Sequence, residues 1–263
     1  MNVRPAAVAG MFYPGDAREL SRDVGMMLAG AKTPELRPKA LIAPHAGYIY
    51  SGAVAASAYA LLKPISDNIR RVVLLGPTHR IAVRGLALPG ADAFDTPLGR
   101  VGIDLDAARL IAGLPQVSLS PQAHAQEHSL EVHLPFLQSI LPDFSLLPLA
   151  VGMASPEEVA EVLDALWGGE ETLIVISSDL SHYLPYPVAR KVDADTVDAI
   201  LHGHPVTHEQ ACGGTPVNGL LLAARRHHLT PHLLDLRNSG DTAGSRDRVV
   251  GYAAFAFTEA ARG

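Results

Sequence analysis

The sequence is short of several features that would point to common protein classes. One cysteine in 263 residues excludes an internal disulfide framework and leaves a lone thiol that a site would need reduced. Charged residues make up only 18 %, and neither sign gathers into a block. The net charge of -6 is therefore diffuse, which argues against nucleic acid as a partner. No apolar run approaches the length of a membrane span, and Met1 to Phe12 lacks the apolar centre of a signal peptide. A soluble, cytoplasmic protein with no membrane partner is the expectation. There is no G-x-G-x-x-G, P-loop, G-x-S-x-G or C-x-x-C, so nucleotide, phosphate and serine-hydrolase readings have no support.

What the chain does have is apolar material and histidine. Hydrophobic residues reach 48 %, enough for a core and without the composition of a disordered chain. Twelve histidines supply the commonest metal ligand and the near-neutral proton carrier. Three short apolar runs each end in Gly, Pro or Ser followed by a histidine: Leu41–Ala43 leading to His45, Val72–Leu75 leading to His79, and Leu173–Ile176 leading through Ser177, Ser178 and Asp179 to His182. If these are parallel neighbouring strands, their carboxyl ends share one rim, where open α/β sheets place ligands. Three imidazoles there suggest a metal or acid–base site.

The connecting segments read as helices. Asp16 is a candidate N-cap for a helix to about Leu28, and Ser51 to Leu62 is Ala-rich and helical. Asp92 to Gly99 reads as a loop, and Asp104 as the cap of a helix to about Gly113. Ser155-Pro156-Glu157-Glu158 carries an N-cap, a proline at the first helical position and a capping-box Glu. Helices follow over about Pro187 to Leu201 and Thr215 to His228, and closing strands over His232 to Leu236 and Val249 to Phe257. With no linker or repeat, this alternation implies one domain over 1–263, a three-layer α/β/α arrangement around a mostly parallel central sheet.

Four constellations bear on chemistry. His45 and His79 follow stiff proline turns at strand ends; each alone could simply cap a loop, but together they suggest a site. Asp179 could hold an imidazole in one tautomer or position His182 as a general base, although Ser177-Ser178-Asp179 is also ordinary turn chemistry. Glu127 to His133 is the densest ionisable cluster. His124, Glu127 and His128 match the H-x-x-E-H pattern of inverted zinc peptidases, but Pro121 and Pro135 leave little regular helix between them. Alternatively Glu127 and His128 border a pocket, Glu131 orients a histidine, and His133 lies in the pocket wall or faces the core with Leu130, Leu134 and Leu137. Cys212 precedes a helix start, where the dipole would lower its pKa and favour thiolate, a good ligand or nucleophile; the alternative is an ordinary buried thiol.

Ala43-Pro44-His45-Ala46-Gly47-Tyr48, Leu75 to His79, Glu127 to Pro135 and Ser177 to His182 together resemble the Memo family, whose prokaryotic members are called AmmeMemoRadiSam system protein B. Matching segments run in family order from about Ala7 to Ala256. The resemblance implies a fold similar to class III extradiol dioxygenases, which are non-haem iron enzymes. It places His45, His79 and Cys212 at the family's metal positions, and Asp179 and His182 among its other pocket residues. Cys212 stands where the dioxygenases carry a Glu ligand, and thiolate suits iron in redox roles, copper(I) or zinc. The family name implies a functional link to an AMMECR-type protein and a radical-SAM protein. The expected function is thus a metal-binding protein, with Fe(II) the first candidate, performing O2- or redox-dependent chemistry on a small molecule or peptide. A partner-binding module without turnover and a zinc hydrolase on His124, Glu127 and His128 are the alternatives.

Overall fold

The computed structural model describes residues 1–259, so the last four residues of the expected 1–263 domain lie outside the described residues. The strands are β1 (Val3–Arg4), β2 (Pro38–Ala43), β3 (Arg71–Pro77), β4 (Leu86–Leu88), β5 (Ala93–Thr96), β6 (Gly99–Gly102), β7 (Val117–Leu119), β8 (Ser145–Val151), β9 (Thr172–Ser177), β10 (His182–Leu184), β11 (Leu229–Asn238) and β12 (Val249–Glu259). The helices are α1 (Ala17–Gly30), α2 (Tyr48–Tyr59), α3 (Leu105–Ile111), α4 (Pro121–Ala125), α5 (Leu134–Ile140), α6 (Pro156–Ala165), α7 (Tyr186–Leu201) and α8 (Gly214–Arg226). Their starts follow local chemistry. Asp16 accepts from the backbone N–H groups of Arg18 and Glu19, Asp104 from that of Ala107, and Ser155 with Glu158 forms the full capping box.

The main sheet runs β10-β12-β2-β9-β3-β8-β4-β7, with β11 also paired to β12. At its heart β2, β9, β3 and β8 are parallel; β12 is antiparallel to β2, and β4 is antiparallel to β8. The result is a single α/β domain with a mixed sheet. Alternation along the parallel strands sorts the core into two layers. Leu41, Val72, Leu74 and Val175 face one side with Val24 of α1, Val54 of α2 and Phe136 of α5. Ile42, Val73, Leu75 and Ile176 face the other with Ala107 of α3, Val159 of α6 and Leu220 of α8. Helices on both faces make three layers and leave the carboxyl ends of the parallel strands as an open rim.

Two expectations are corrected. Asp92 to Gly99 is not a loop: β5 lies between β1 and β6 in a small separate sheet, because Ala93 and Phe94 are nearly fully buried and anchor it. The strand expected at His232 to Leu236 extends over Leu229–Asn238, since it pairs along most of β12. Among the described residues no helix is long and apolar enough to cross a membrane.

Candidate metal centre

Parallel pairing carries the three histidine-bearing segments to one rim. Ala43 lies opposite Ser177 across β2 and β9, and Leu75 lies opposite Ile176 across β3 and β9. Pairing persists one step further, where the Ser178 N–H donates to the Ala43 carbonyl. The His45 N–H then donates to Asp179 Oδ1 at 2.7 Å, so the first residues beyond both strands are tied together.

Hydrogen bonds fix the tautomers. Ser177 Oγ donates to the Ser129 carbonyl at 2.6 Å and also lies 2.6 Å from His45 Nδ1. A hydroxyl has one proton, and the carbonyl takes it, so Nδ1 must be the donor to Oγ. His45 Nε2 therefore keeps its lone pair. At His79, Nδ1 lies 2.9 Å from Glu127 Oε1, and the His79 N–H donates to Glu127 Oε2 at 2.6 Å. A carboxylate is only an acceptor, so here too Nδ1 carries the proton and Nε2 is free. Glu127 further accepts from the N–H groups of His128 and Ser129 and lies 3.2 Å from His128 Nδ1. Burial alone would raise the Glu127 pKa, but the hydrogen bonds from His79 and Ser129 outweigh it and hold the carboxyl down at about 2.

His45, His79 and His128 each offer a ring nitrogen, and these nitrogens lie within 4.8 Å of one another. The His79 and His128 ring centroids are 4.5 Å apart, and His45 stands edge-on to both. Burial, then the neighbouring imidazoles, pushes His45 well below its ordinary range; burial and His79 push His128 down to about 4. Those two rings are neutral at pH 7, the form that binds metal. This triad could hold a metal ion: neutral imidazoles suit iron, copper or zinc, and Glu127 fixes the ligating face from behind.

The remaining wall comes from the turn before α8. Cys212 Sγ lies 3.3 Å from His45 Nε2 and accepts from the Asp179 N–H at 3.3 Å, while the Cys212 N–H returns a bond to the Asp179 carbonyl. Gly213 permits this approach, because a Cβ there would stand 2.5 Å from the Ser177 carbonyl oxygen. The expected depressed thiol is corrected: burial, followed by the Asp179 charge, pushes Cys212 up to about 12, and the start of α8 does not offset it. Burial likewise raises Asp179 to about 7, with the His45 N–H opposing, and its Oδ2 lies 3.9 Å from His45 Nε2. His182 is half-buried on β10, its pKa lowered first by burial, with His79 contributing in the same direction.

The family description "Memo-like protein" matches residues 4–256. The chain belongs to the Memo family. It is 37 % identical to the MEMO1 family protein of Aquifex aeolicus, over 98 % of this chain and 100 % of that one, and 36 % identical to the MEMO1 family protein Mbar_A1422 of Methanosarcina barkeri, over 96 % and 98 %. A crystal structure of the uncharacterized protein JW3007 from Escherichia coli K12 is 19 % identical, with a TM-score of 0.51 over 82 % of this chain and 99 % of that one, a likeness of fold alone.

Other residues singled out in this Memo-family sequence sit elsewhere. Glu131 orients no histidine: fully buried, it accepts from Arg4 Nη1, the N–H groups of Ala7 and Val8, and Tyr13 Oη. His133 Nδ1 meets Tyr59 Oη at 2.8 Å inside the core, and burial holds its pKa down at about 3. The zinc-peptidase pattern fails because α4 ends at Ala125; His124 turns away and its Nε2 donates to the Ala87 carbonyl at 2.7 Å. That removes the hydrolase built on His124, Glu127 and His128. Phe12 is a site residue that no motif in the chain singles out. Its ring centroid lies 4.6 Å from that of His128, and the signal would have been Arg4 and Tyr13, which bind Glu131 and anchor the arm that carries it.

Proposed function

We propose that this Memo-family protein binds a metal ion, Fe(II) first, with copper or zinc as the other candidates, in a pocket of non-haem iron dioxygenase type, and, loaded with the redox-active metal, oxidises a small molecule or peptide there. The observation that carries the reading is the commitment of the Nδ1 protons of His45 and His79 to Ser177 and Glu127, which leaves both Nε2 lone pairs for a ligand. His45 and His79 are the first two ligands. His128 and Cys212 compete for the third position, the imidazole by proximity and the thiol by its contact with His45. Bound iron would supply O2 activation. The chain's own residues do the rest: Glu127 holds the His79 ring, Asp179 retains a proton near neutral pH at the edge of the site, and His182 accepts or returns a proton. By family resemblance the setting is the cytoplasm, alongside AMMECR-type and radical-SAM proteins.

Metal stoichiometry under anaerobic conditions tests the reading. Wild type should take up one Fe(II) per chain, His45→Ala and His79→Ala should take up none, and His182→Ala should retain it. His128→Ala beside Cys212→Ser assigns the third ligand. Wild-type protein that binds none of Fe(II), copper(I) or zinc would overturn the proposal in favour of a partner-binding module.

A further inference from the structure

A cavity of about 250 Å³ opens beside the histidine site, and Cys212 is the residue common to both. It lies at the carboxyl ends of β3 and β8 and against the first turn of α8, on the ligand-bearing rim of the sheet. Its walls are the buried Pro77, Val83, Val151 and Pro216. Met153, 75 % exposed, forms part of its lip. Among the described residues no carboxylate, ammonium or guanidinium lines it. Two of its polar side chains satisfy each other, His208 Nε2 meeting Thr215 Oγ1 at 3.1 Å. A charged group placed there would lose water and find no counter-charge. An apolar group would gain burial against branched side chains and a pliable methionine.

We propose that this cavity is the subsite for an uncharged, apolar group of the molecule on which the histidine site acts. The proposal rests on the reading of that site given above and adds its substrate class: a compound whose reacting end faces Cys212 and the histidines, and whose other end is a single substituted ring or its aliphatic equivalent. Size supports this. An apolar cavity of roughly 150 Å³ holds benzene, so the space here takes a ring with a substituent but not a folded peptide segment. Cys212 sets the direction, because it lines the cavity and its sulfur lies 3.3 Å from His45 Nε2 of the histidine site.

The test uses full-length protein with methyl-labelled methionine. The Met153 signal, assigned by its loss in Met153→Leu, is followed by NMR during titration with cyclohexanol or toluene, and with cyclohexanecarboxylate or cyclohexylamine. The neutral probes should shift it saturably, and the charged ones should bind at least tenfold more weakly. Ala82→Phe, at an exposed position on the mouth, and Val83→Phe, inside, should each abolish the shift. Three results overturn the proposal: charged and neutral probes binding equally, neutral probes giving no saturable shift, or a shift that survives both substitutions. Fe(II) stoichiometry on wild type and Ala82→Phe separates the readings. Probe binding with no metal uptake sinks the metal site and leaves an apolar pocket, whereas metal uptake without probe binding sinks the subsite alone.

Discussion

Replacing Glu131 with Ala would leave Arg4 as a buried cation without a counter-charge. The Arg4 side chain is 6 % exposed and that of Glu131 0 %, with Nη1 and Oε2 2.6 Å apart. Arg4 Nε and Nη2 donate to the carbonyls of His124 and Glu127, which are neutral acceptors and cannot replace the carboxylate. Removing one member of a buried ion pair costs about 3–5 kcal/mol. Glu131→Ala also strips the N–H groups of Ala7 and Val8 and the Tyr13 hydroxyl of their acceptor, which points to the upper half of that range. Arg4→Met should cost less, about 3 kcal/mol at the lower end of that range, because the carboxylate it leaves keeps three donors. Urea denaturation measures both, read as a fall in midpoint at constant slope. A Glu131→Ala loss below about 1 kcal/mol, or an Arg4→Met loss exceeding it, would refute the reasoning.

Three further outcomes are expected. Burial holds His124 down at about 4, whereas an unfolded histidine titrates near about 6.5; as pH falls through that window only the unfolded chain takes the proton, and stability is lost. In His124→Gln the stability difference between pH 7 and pH 4 should shrink by about 3 kcal/mol, checked by urea midpoints at both pH values. Gly85 has φ +77, and a Cβ there would stand 1.9 Å from the Gln116 carbonyl oxygen; Gly85→Ala should cost more than about 3 kcal/mol in the same assay. In metal-free protein Cys212, raised to about 12, should react with iodoacetamide at pH 8 roughly a thousandfold slower than a free thiol, read by mass; a rate within about tenfold of the free thiol would contradict the burial argument.

Local signals in the chain were legible to the residue. Asp16, Asp104 and Ser155 cap the helices their side chains predicted, and Thr172–Ser177 is the strand its apolar run defined. That His45 and His79 stand just beyond the carboxyl ends of two strands, β2 and β3 on either side of β9, was also visible, because proline after a buried run leaves few options. Three things were not. The pairing of Glu131 with Arg4 spans 127 positions, and no local pattern encodes it. Pro121 and Pro135 already spoke against a helical face shared by His124 and His128, and α4 does stop at Ala125, but the distant Ala87 carbonyl that takes the His124 ring had no local signal. The dipole argument for Cys212 took account of the helix and not of the burial that opposes it, which depends on residues far away in sequence.

The long span between Arg4 and Glu131 bears on how the molecule is made. As synthesis proceeds from the amino end, the segment that carries Arg4 waits for residue 131 before it has an anchor, and His45 waits for Ser177 and finally Cys212, 167 positions on. Closing such long loops late is slow compared with forming the helices between them. A nascent chain therefore offers scattered imidazoles, and a passing ion meets the three imidazoles and the thiol side by side only after residue 212 has been made.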